Sequence, residues 1–517
     1  MSAMTSVPSS WAWSTLEQIS SAERVICYGI LMPKDNVVKG VLYVKVRDMR
    51  GDRIDLEGLH RTSHEIANKY ARASLRPGDL LLSIRGTYGR VAVVPPELDG
   101  ANITQDTARL AILPQLASLY VAYWLRAESS QQYFKRVARG VAVKGVNIGD
   151  IRPMPVPIAP LPEQHRIVEK IEELLSDLDA GVASLQRAKA NLKRYRASVL
   201  KSAVEGRLTE EWRKEHPQVE DGEMLLDRIL RERREKWEKD QLLKFKEKGK
   251  EPPKNWQSKY EEPTHEVGLY DLPSSWVWAS ALEVCERVEN GNTPPPDEMT
   301  SGSGDVPFIK VYNLTRDGRL DFTVNPTFVS QKTHEERLGR SRVLPNDVLM
   351  NIVGPPLGKV SVVPDTYPAW NMNQAIVLFR ASGVVLSRYL AICLMSDEVL
   401  RWITRTAKAT AGQFNISVGN SRLLPIPLPP LAEQEQIVAL VEERLSQIDS
   451  AEKTIDAELI RSKRLRQSIL KRAFEGKLVP QDPKDEPANV LLERIKASRD
   501  ADQPKKKSKK ATKVKAK

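Results

Sequence analysis

The chain of 517 residues contains the same order of sequence blocks twice. The block VPSSWAWS returns as LPSSWVWA, which places Trp11 and Trp276 265 residues apart. The block PLPEQHRIV returns as PLAEQEQIV, which places Gln164 and Gln434 270 residues apart. Because the offset drifts by only a few residues over a whole half, the sequence predicts a tandem duplication of one structural unit.

Each copy begins with a part of mixed pattern, residues 1–161 and residues 271–431. Short β-branched runs such as LYVKV and DVLMNIV predict strands, and Gly and Pro mark the turns between them. The stretches LASLYVAYWLRAESSQQYFKRVA and SRYLAICLMSDEVLRWITRTA each predict an amphipathic helix. We therefore expect two mixed α/β domains, which makes the fold class α+β.

A proline-rich strip closes each mixed domain, PMPVPIAPLP in the first copy and LPIPLPPL in the second. Proline cannot donate to a β-ladder and disfavours helix in the residue before it. The sequence therefore predicts a stiff extended spacer at both places.

One long helix follows each strip, predicted at residues 162–206 and 432–478. A heptad row of apolar residues is typical of a coiled coil, and two matching helices in one chain favour an antiparallel pair. The alternative is that each helix packs on a globular body. The row consists of Ile171, Leu178, Leu185, Leu192 and Val199 in the first copy, and of Val441, Ile448, Ile455, Ser462 and Ile469 in the second.

Three further segments complete the predicted organisation. Residues 207–270 form a charged helical extension followed by a linker, and residues 479–502 form a C-terminal helical segment. Residues 503–517 form a lysine-rich tail that we expect to be disordered.

The net charge of +12 is distributed unevenly. The tail alone carries +8, residues 1–161 carry +6 and residues 271–431 are neutral. A net positive charge favours an acidic partner such as nucleic acid. Here, however, the excess of positive charge lies in the tail and the first mixed domain, and the second mixed domain has none. The duplication is therefore the stronger indication of function.

The cysteines and the apolar runs indicate the cellular compartment of the protein. Cys27, Cys285 and Cys393 lie far apart without CxxC spacing, which is typical of a protein in the reducing cytoplasm. The apolar runs are shorter than the ~20 residues that span a bilayer, and we expect neither a transmembrane helix nor a signal peptide.

The strip and helix blocks PIAPLPEQHRIVEKIEELLSDLDA and PIPLPPLAEQEQIVALVEERLSQIDS resemble those of the specificity subunits of type I restriction–modification enzymes. The preceding GQFNIS, kept in part as VKGVNIG in the first copy, is similar to a block of the same family. The segments LTEEWRKEHP and LLERIKASRD resemble the K-12-type subfamily.

This resemblance implies a non-catalytic subunit whose two mixed domains are target-recognition domains. Each would read one half of a bipartite, asymmetric site in double-stranded DNA, while the helices would set the spacer and dock two methyltransferase subunits. Two restriction/translocase subunits would complete the complex. The implied cofactors are S-adenosylmethionine, ATP and Mg²⁺ on those partner subunits, with none on this chain and no membrane partner.

Candidate DNA contacts come from loops of the mixed domains, where Arg suits guanine, Asn and Gln suit adenine, and Lys suits phosphate. The alternative for each residue is that it is an ordinary surface side chain that contacts only water. The repeated Glu-Gln pairs of the helix blocks are candidates for partner docking. The DNA candidates are Lys45, Arg47, Arg85, Arg90, Lys144, Lys310, Asn313, Lys359, Gln413 and Asn415, and the docking candidates are Glu163, Gln164, Glu433 and Gln434.

The sequence offers no complete catalytic or metal-binding motif. The string from Asn325 to Phe328 lacks the second proline of an amino-methyltransferase loop, and no P-loop or dinucleotide fingerprint is present. His60 and His64 have helical spacing for a metal but no third ligand nearby, so we predict no metal site. The alternatives to a specificity subunit are a free-standing bipartite DNA-binding regulator or scaffold, and a self-sufficient nuclease or methyltransferase.

Overall fold

The computed structural model describes residues 7–140, 143–217, 220–263, 268–354, 356–406, 408–410 and 413–502, with backbone alone at 408–410, 413–414 and 500–502. The predicted lysine-rich tail, 503–517, lies outside these residues. The chain divides into two compact units. Unit 1 consists of residues 1–186 and 456–517, and unit 2 of residues 187–455.

Unit 1 contains the first mixed domain. Its four-stranded antiparallel sheet has the order Cys27–Tyr28, Thr107–Leu110, Leu80–Ser83, Val91–Val93. A second sheet has the order His60–Thr62, Val41–Val44, Asn102–Ile103, and smaller pairs join Met49–Arg50 to Arg53–Ile54 and Ala12–Thr15 to Pro155–Ile158. The helices are His64–Lys69, Ser118–Arg126, Glu128–Val137, Ile148–Ile151 and Ala488–Asp502.

Unit 2 repeats this plan in the second mixed domain. Its four-stranded sheet has the equivalent order Cys285–Asn290, Ile376–Ala381, Val348–Asn351, Val360–Val362. A five-stranded sheet has the order Met299–Ser301, Thr327–Val329, Val306–Ile309, Trp370–Met372, Arg342–Val343. The remaining strands are Val353–Gly354, Gln413–Asn415 and Lys408–Thr410 in one sheet, and Val277–Ser280 with Pro425–Leu428 in another.

The helices of unit 2 include one long charged helix, Gly222–Glu247, in the predicted extension. The residues after it turn back, because Trp256 stacks on Trp237 with ring centroids 5.8 Å apart. The shorter helices are Glu210–Glu215, Ala281–Val284, Gln331–Glu336, Ser387–Met395, Asp397–Thr406 and Val418–Arg422.

Each stretch that we predicted as one amphipathic helix is instead two helices. The break lies at Ala127 in the first copy and at Ser396 in the second, and both residues have extended backbone. Ser130 Oγ, in the helix after the break, donates to the carbonyl oxygen of Trp124, in the helix before it, at 2.6 Å. This bond holds the two helices together at the corner. An apolar period continues through such a corner, which is why the pattern did not reveal it.

The proline strips are strands, and the prediction of a stiff spacer is wrong. Pro155–Ile158 pairs antiparallel with Ala12–Thr15, with Val156 opposite Ser14. The prolines alternate with residues that keep their N–H. Because the strand has a partner on one side only, every second backbone N–H points away from that partner, and a proline at such a position removes no hydrogen bond of the ladder. The carbonyl of Pro157 also accepts from Tyr120 Oη at 2.9 Å, and this contact binds the strip to the domain.

The two long helices run from Leu161 to Val204 and from Leu431 to Phe474, with 44 residues each. They form an antiparallel coiled coil, as predicted. In unit 1, Ile171 belongs to the same core as Leu470, and Asp179 pairs with Arg466. In unit 2, the equivalent Arg196 pairs with Asp449. None of the helices in the described residues is both long and apolar enough to cross a membrane.

We predict that Phe474→Ala destabilises unit 1 by about 3–5 kcal/mol, the usual cost of a phenylalanine removed from a core. Phe474 is buried, and its ring lies 5.2 Å from that of Tyr120 and 5.1 Å from that of Trp124. Denaturant titration followed by tryptophan fluorescence measures the loss. Leu465→Ala is the control, because that side chain on the same helix is 49% exposed. Equal losses for the two variants would contradict the packing.

We also predict that the native protein reacts slowly with Ellman's reagent. All three cysteines are buried and free. Burial raises the pKa of Cys393 to about 12 and also raises the pKa of Cys285, so the reactive thiolate is scarce at neutral pH. Three thiols should react once denaturant is added, and fast reaction of any of them in the native protein would be the opposite result.

Candidate nucleic-acid interface

In the first mixed domain, the predicted contacts Lys45 and Arg47 lie at one 3₁₀ turn, Val46–Asp48. Asp48 holds the turn, because its Oδ2 accepts from the backbone N–H of Lys45 at 2.8 Å. Lys45 Nζ lies 3.2 Å from His60 Nδ1, and Arg47 Nη2 lies 3.0 Å from His60 Nε2. The structure therefore brings both predicted residues together with a histidine that we had not assigned to DNA.

Arg90 supports the same turn by contacts to its backbone. Its Nη1 donates to the carbonyl oxygens of Met49 at 3.0 Å and Val46 at 3.3 Å. These bonds use part of a guanidinium that we predicted as a DNA contact. Lys359, the matching residue of the second copy, is also a cation, which agrees with this supporting position of Arg90.

Arg85 and Lys144 belong to a second group on the first domain. The backbone N–H of Gly86 donates to the carbonyl oxygen of Lys144 at 3.0 Å, and Arg85 Nε lies 4.0 Å from Asp106 Oδ1. The side chain of Arg85 is 63% exposed, and Lys144 is also exposed. Arg85 lines a cavity of about 510 Å³ whose other walls include Tyr28, Gln105, Arg139 and Val143.

The second mixed domain builds the equivalent turn, Val311–Asn313, with Lys310 before it. Asn313 is buried, its Oδ1 accepts from the N–H of Lys310 at 2.9 Å, and its Nδ2 donates to Asp321 O and Val324 O. The prediction of Asn313 as a base contact is therefore corrected, since every polar atom of its amide is used inside the domain. Lys359 Nζ lies 3.5 Å from Val311 O, in the role of Arg90.

The last two candidates, Gln413 and Asn415, lie on one short strand. This strand pairs with Val353–Gly354, so that Asn415 is opposite Val353. The side chain of Gln413 lies outside the described part of the structure, and Asn415 is half-buried. Their contact with DNA stays a prediction.

The Glu-Gln pair of the first long helix is buried inside unit 1. Glu163 Oε2 accepts from Trp11 Nε1 at 3.1 Å, and its Oε1 accepts from Gln481 Nε2 at 2.7 Å. Gln164 Oε1 accepts from the N–H of Ala117 at 3.0 Å, and its Nε2 donates to Ala159 O at 2.8 Å. The pair thus fixes the start of the helix to the mixed domain.

The pair of the second long helix does the same inside unit 2. Glu433 accepts from Trp276 Nε1 at 2.8 Å, from Thr209 Oγ1 at 2.6 Å and from Arg213 Nη2 at 2.7 Å. Gln434 Oε1 accepts from the N–H of Leu386 at 3.0 Å. These contacts correct the docking prediction for all four residues, because buried side chains with internal partners offer no surface to another protein.

Sequence reasoning missed the partners of the two glutamates, Thr209, Arg213 and Gln481. All three follow the end of the opposite long helix. The repeated blocks EGRL and EGKL mark these sites, since Gly206 and Gly476 have φ of +73° and +69° and end the helices. A Cβ at Gly476 would lie 2.2 Å from Pro8 Cγ, so the glycine also permits close approach to the start of the domain.

The described residues contain no group of three or more His, Cys, Asp or Glu side chains placed to hold a metal ion. The string from Asn325 to Phe328 is a turn followed by a strand. Its Asn325 has a positive φ of 45°, and the carbonyl oxygen of that residue accepts from Tyr312 Oη at 3.0 Å.

We predict that Glu163→Gln gains stability relative to the natural chain as the pH rises from about 4 to about 7. Burial raises the pKa of the Glu163 carboxyl above its ordinary value, and the indole of Trp11 opposes this shift. The folded state therefore holds a proton that the unfolded state has released, so stability falls with rising pH across this window. Glutamine does not titrate and escapes that loss.

Denaturant titrations at several pH values measure this difference. Glu169→Gln, at an exposed position of the same helix, controls for the removal of one negative charge. A stability difference between Glu163→Gln and the natural chain that falls with rising pH would contradict the assignment.

Comparisons with known proteins agree with this architecture. A family model described as the type I restriction modification DNA specificity domain matches residues 32–193 and 273–461. The EcoBI specificity subunit of Escherichia coli is 30% identical over 234 residues, which are 44% of this chain and 49% of that protein. The EcoKI specificity subunit of Escherichia coli strain K12 is 28% identical over 383 residues, which are 71% of this chain and 69% of that protein.

The fold also matches a solved chain from a study of complex assembly and conformational transition of the type I R-M system. The TM-score is 0.64 at 19% identity, and the match covers 91% of this chain and 99% of the other. The EcoBI alignment spans about half of that relative's length, and closeness to the K-12-type subfamily stays a prediction. Because the two matched ranges take up more than half of the residues, one in each copy of the repeat, the chain belongs to the family of type I restriction–modification DNA specificity proteins.

Proposed function

We propose that this chain is the DNA sequence-specificity subunit of a type I restriction–modification complex. Each mixed domain reads one half of a bipartite, asymmetric DNA site. One observation carries this proposal. The two copies build the same turn, with Lys45 and Lys310 before it, but place Arg47 in the first where the second has Tyr312. A common scaffold whose exposed side chains differ between the copies suits contact with two different half-sites.

In this proposal the chain has no catalytic role of its own. Its long helices set the spacer between the half-sites and dock two methyltransferase subunits, and two restriction/translocase subunits join them. S-adenosylmethionine, ATP and Mg²⁺ belong to those partners, which methylate adenine or cut DNA in the cytoplasm. The names of the EcoBI and EcoKI relatives, both specificity subunits, support this assignment.

The helix geometry supports the role in setting the spacer. Each helix is unbroken over 44 residues, about 66 Å at 1.5 Å per residue. Ion pairs between the helices, Asp179 with Arg466 and Arg196 with Asp449, fix their register. Two long helices held in one register suit a spacer of constant length between the two half-sites.

A free-standing DNA-binding regulator or scaffold is the alternative. It shares the two reading domains but requires no methyltransferase partner. The family match favours the subunit, because that family is defined by restriction–modification DNA specificity. Co-purification with a methyltransferase separates the two functions.

We predict that deletion of the gene abolishes adenine methylation at one split, non-palindromic motif in the genome. Long-read sequencing of the genome with and without the gene measures methylation at this motif. Complementation with the natural gene is the control. Replacement of residues 1–161 by the matching domain of a relative should change only one half of the motif. An unchanged methylome in the deletion strain would overturn the proposed function.

A further inference from the structure

Two cationic side chains of the first mixed domain converge on one imidazole. Lys45 Nζ lies 3.2 Å from Nδ1 of His60, and Arg47 Nη2 lies 3.0 Å from Nε2 of the same ring. A neutral imidazole has one acceptor nitrogen, and a protonated one has none. Since Lys and Arg can only donate, at least one of the two cations has no acceptor in this ring.

Within the described part of the chain, one carboxylate is in contact with this group. Asp48 is the carboxylate at the turn, its Oδ2 accepts from the Lys45 backbone, and its Oδ1 lies 3.5 Å from Arg47 Nε. Tyr43 contributes its ring, 5.1 Å from Lys45 Nζ and 6.2 Å from the His60 ring. Burial and the charge of Arg47 lower the pKa of Lys45, with Asp48 in opposition. Two cations and an imidazole thus face one carboxylate.

The group is also accessible. The side chain of Arg47 is 63% exposed, and Lys45 and His60 are half-buried. The three donors therefore converge at the surface, where an anion can reach them. Phosphate oxygens accept hydrogen bonds from all three residue types.

The second mixed domain provides a natural comparison at the same place. Thr327 there occupies the strand position of His60, since Thr327–Val329 pairs with Val306–Ile309 as His60–Thr62 pairs with Val41–Val44. Tyr312 replaces Arg47, and its Oη donates to Asn325 O at 3.0 Å. Only Lys310 keeps its charge, so the second copy has neutral, hydrogen-bonded groups where the first has an arginine and a histidine.

We propose that Lys45, Arg47 and His60 bind one backbone phosphate of the DNA half-site read by the first mixed domain, and that the second domain lacks this contact. The inference rests on the proposed function and deepens it. The phosphate oxygens supply acceptors for both cations and for an N–H of the imidazole. The contact positions the first domain on its half-site without reading a base.

The test replaces the first-copy residues by those of the second copy, as Arg47→Tyr together with His60→Thr. The variant chain is assembled with its methyltransferase, and its affinity for the split motif is measured at several salt concentrations. Loss of one phosphate contact should weaken binding and make the slope of log K against log salt shallower by about 1. Tyr312→Phe, at the matching turn of the second domain, is the control for the slope alone: it removes no charge, so the slope should stay unchanged whatever its effect on affinity.

A scan with single uncharged methylphosphonate linkages identifies the phosphate. One position in the first half-site should weaken binding of the natural complex and have no effect on the double variant. Thermal unfolding and methyltransferase co-purification confirm that each variant is folded.

The outcomes distinguish this inference from the proposed function. A natural complex that does not bind the split motif overturns both. If it binds but the double variant keeps the slope and the methylphosphonate sensitivity, the phosphate site alone is overturned. A variant that methylates an altered motif also overturns it, because the residues would then read a base.

Discussion

The buried carboxylate at the start of each long helix is the contact on which each unit depends. Glu163 and Glu433 both accept from the indole N–H of the tryptophan that opens their own domain. Each also accepts from a residue that follows the end of the other helix, Gln481 or Thr209. A buried carboxylate is costly unless it is hydrogen-bonded, so these partners must stay in place for the helix to begin where it does.

Much of the architecture could be predicted from sequence because the repeat and the heptad row are visible in it. The features that escaped prediction depend on partners far away in the chain. The proline strip became a strand because residues 12–15 supply its partner, and no local pattern contains that information. The corner at Ala127 escaped because the apolar period runs through it.

The candidate interface was predictable in part for a related reason. The repeat matches Lys45 with Lys310, and the structure places each of them just before an equivalent turn. The repeat did not reveal that Asn313, like Asp48, holds the turn by accepting from the backbone. His60 escaped as well, because its neighbours come from another strand. Within one turn, therefore, some side chains maintain the scaffold while others remain free to diverge.

Unit 1 is assembled from both ends of the sequence, and this has a consequence for synthesis on the ribosome. Unit 2 is continuous from residue 187 to residue 455 and can close as soon as it has emerged. The first domain emerges earlier but must wait for residues 456 onward, roughly 15–60 s at 5–20 residues per second. During that time the apolar face of its helix, around Ile167 and Ile171, has no partner from the second helix. Translation that stops soon after residue 455 therefore leaves unit 1 incomplete, although unit 2 has all of its residues.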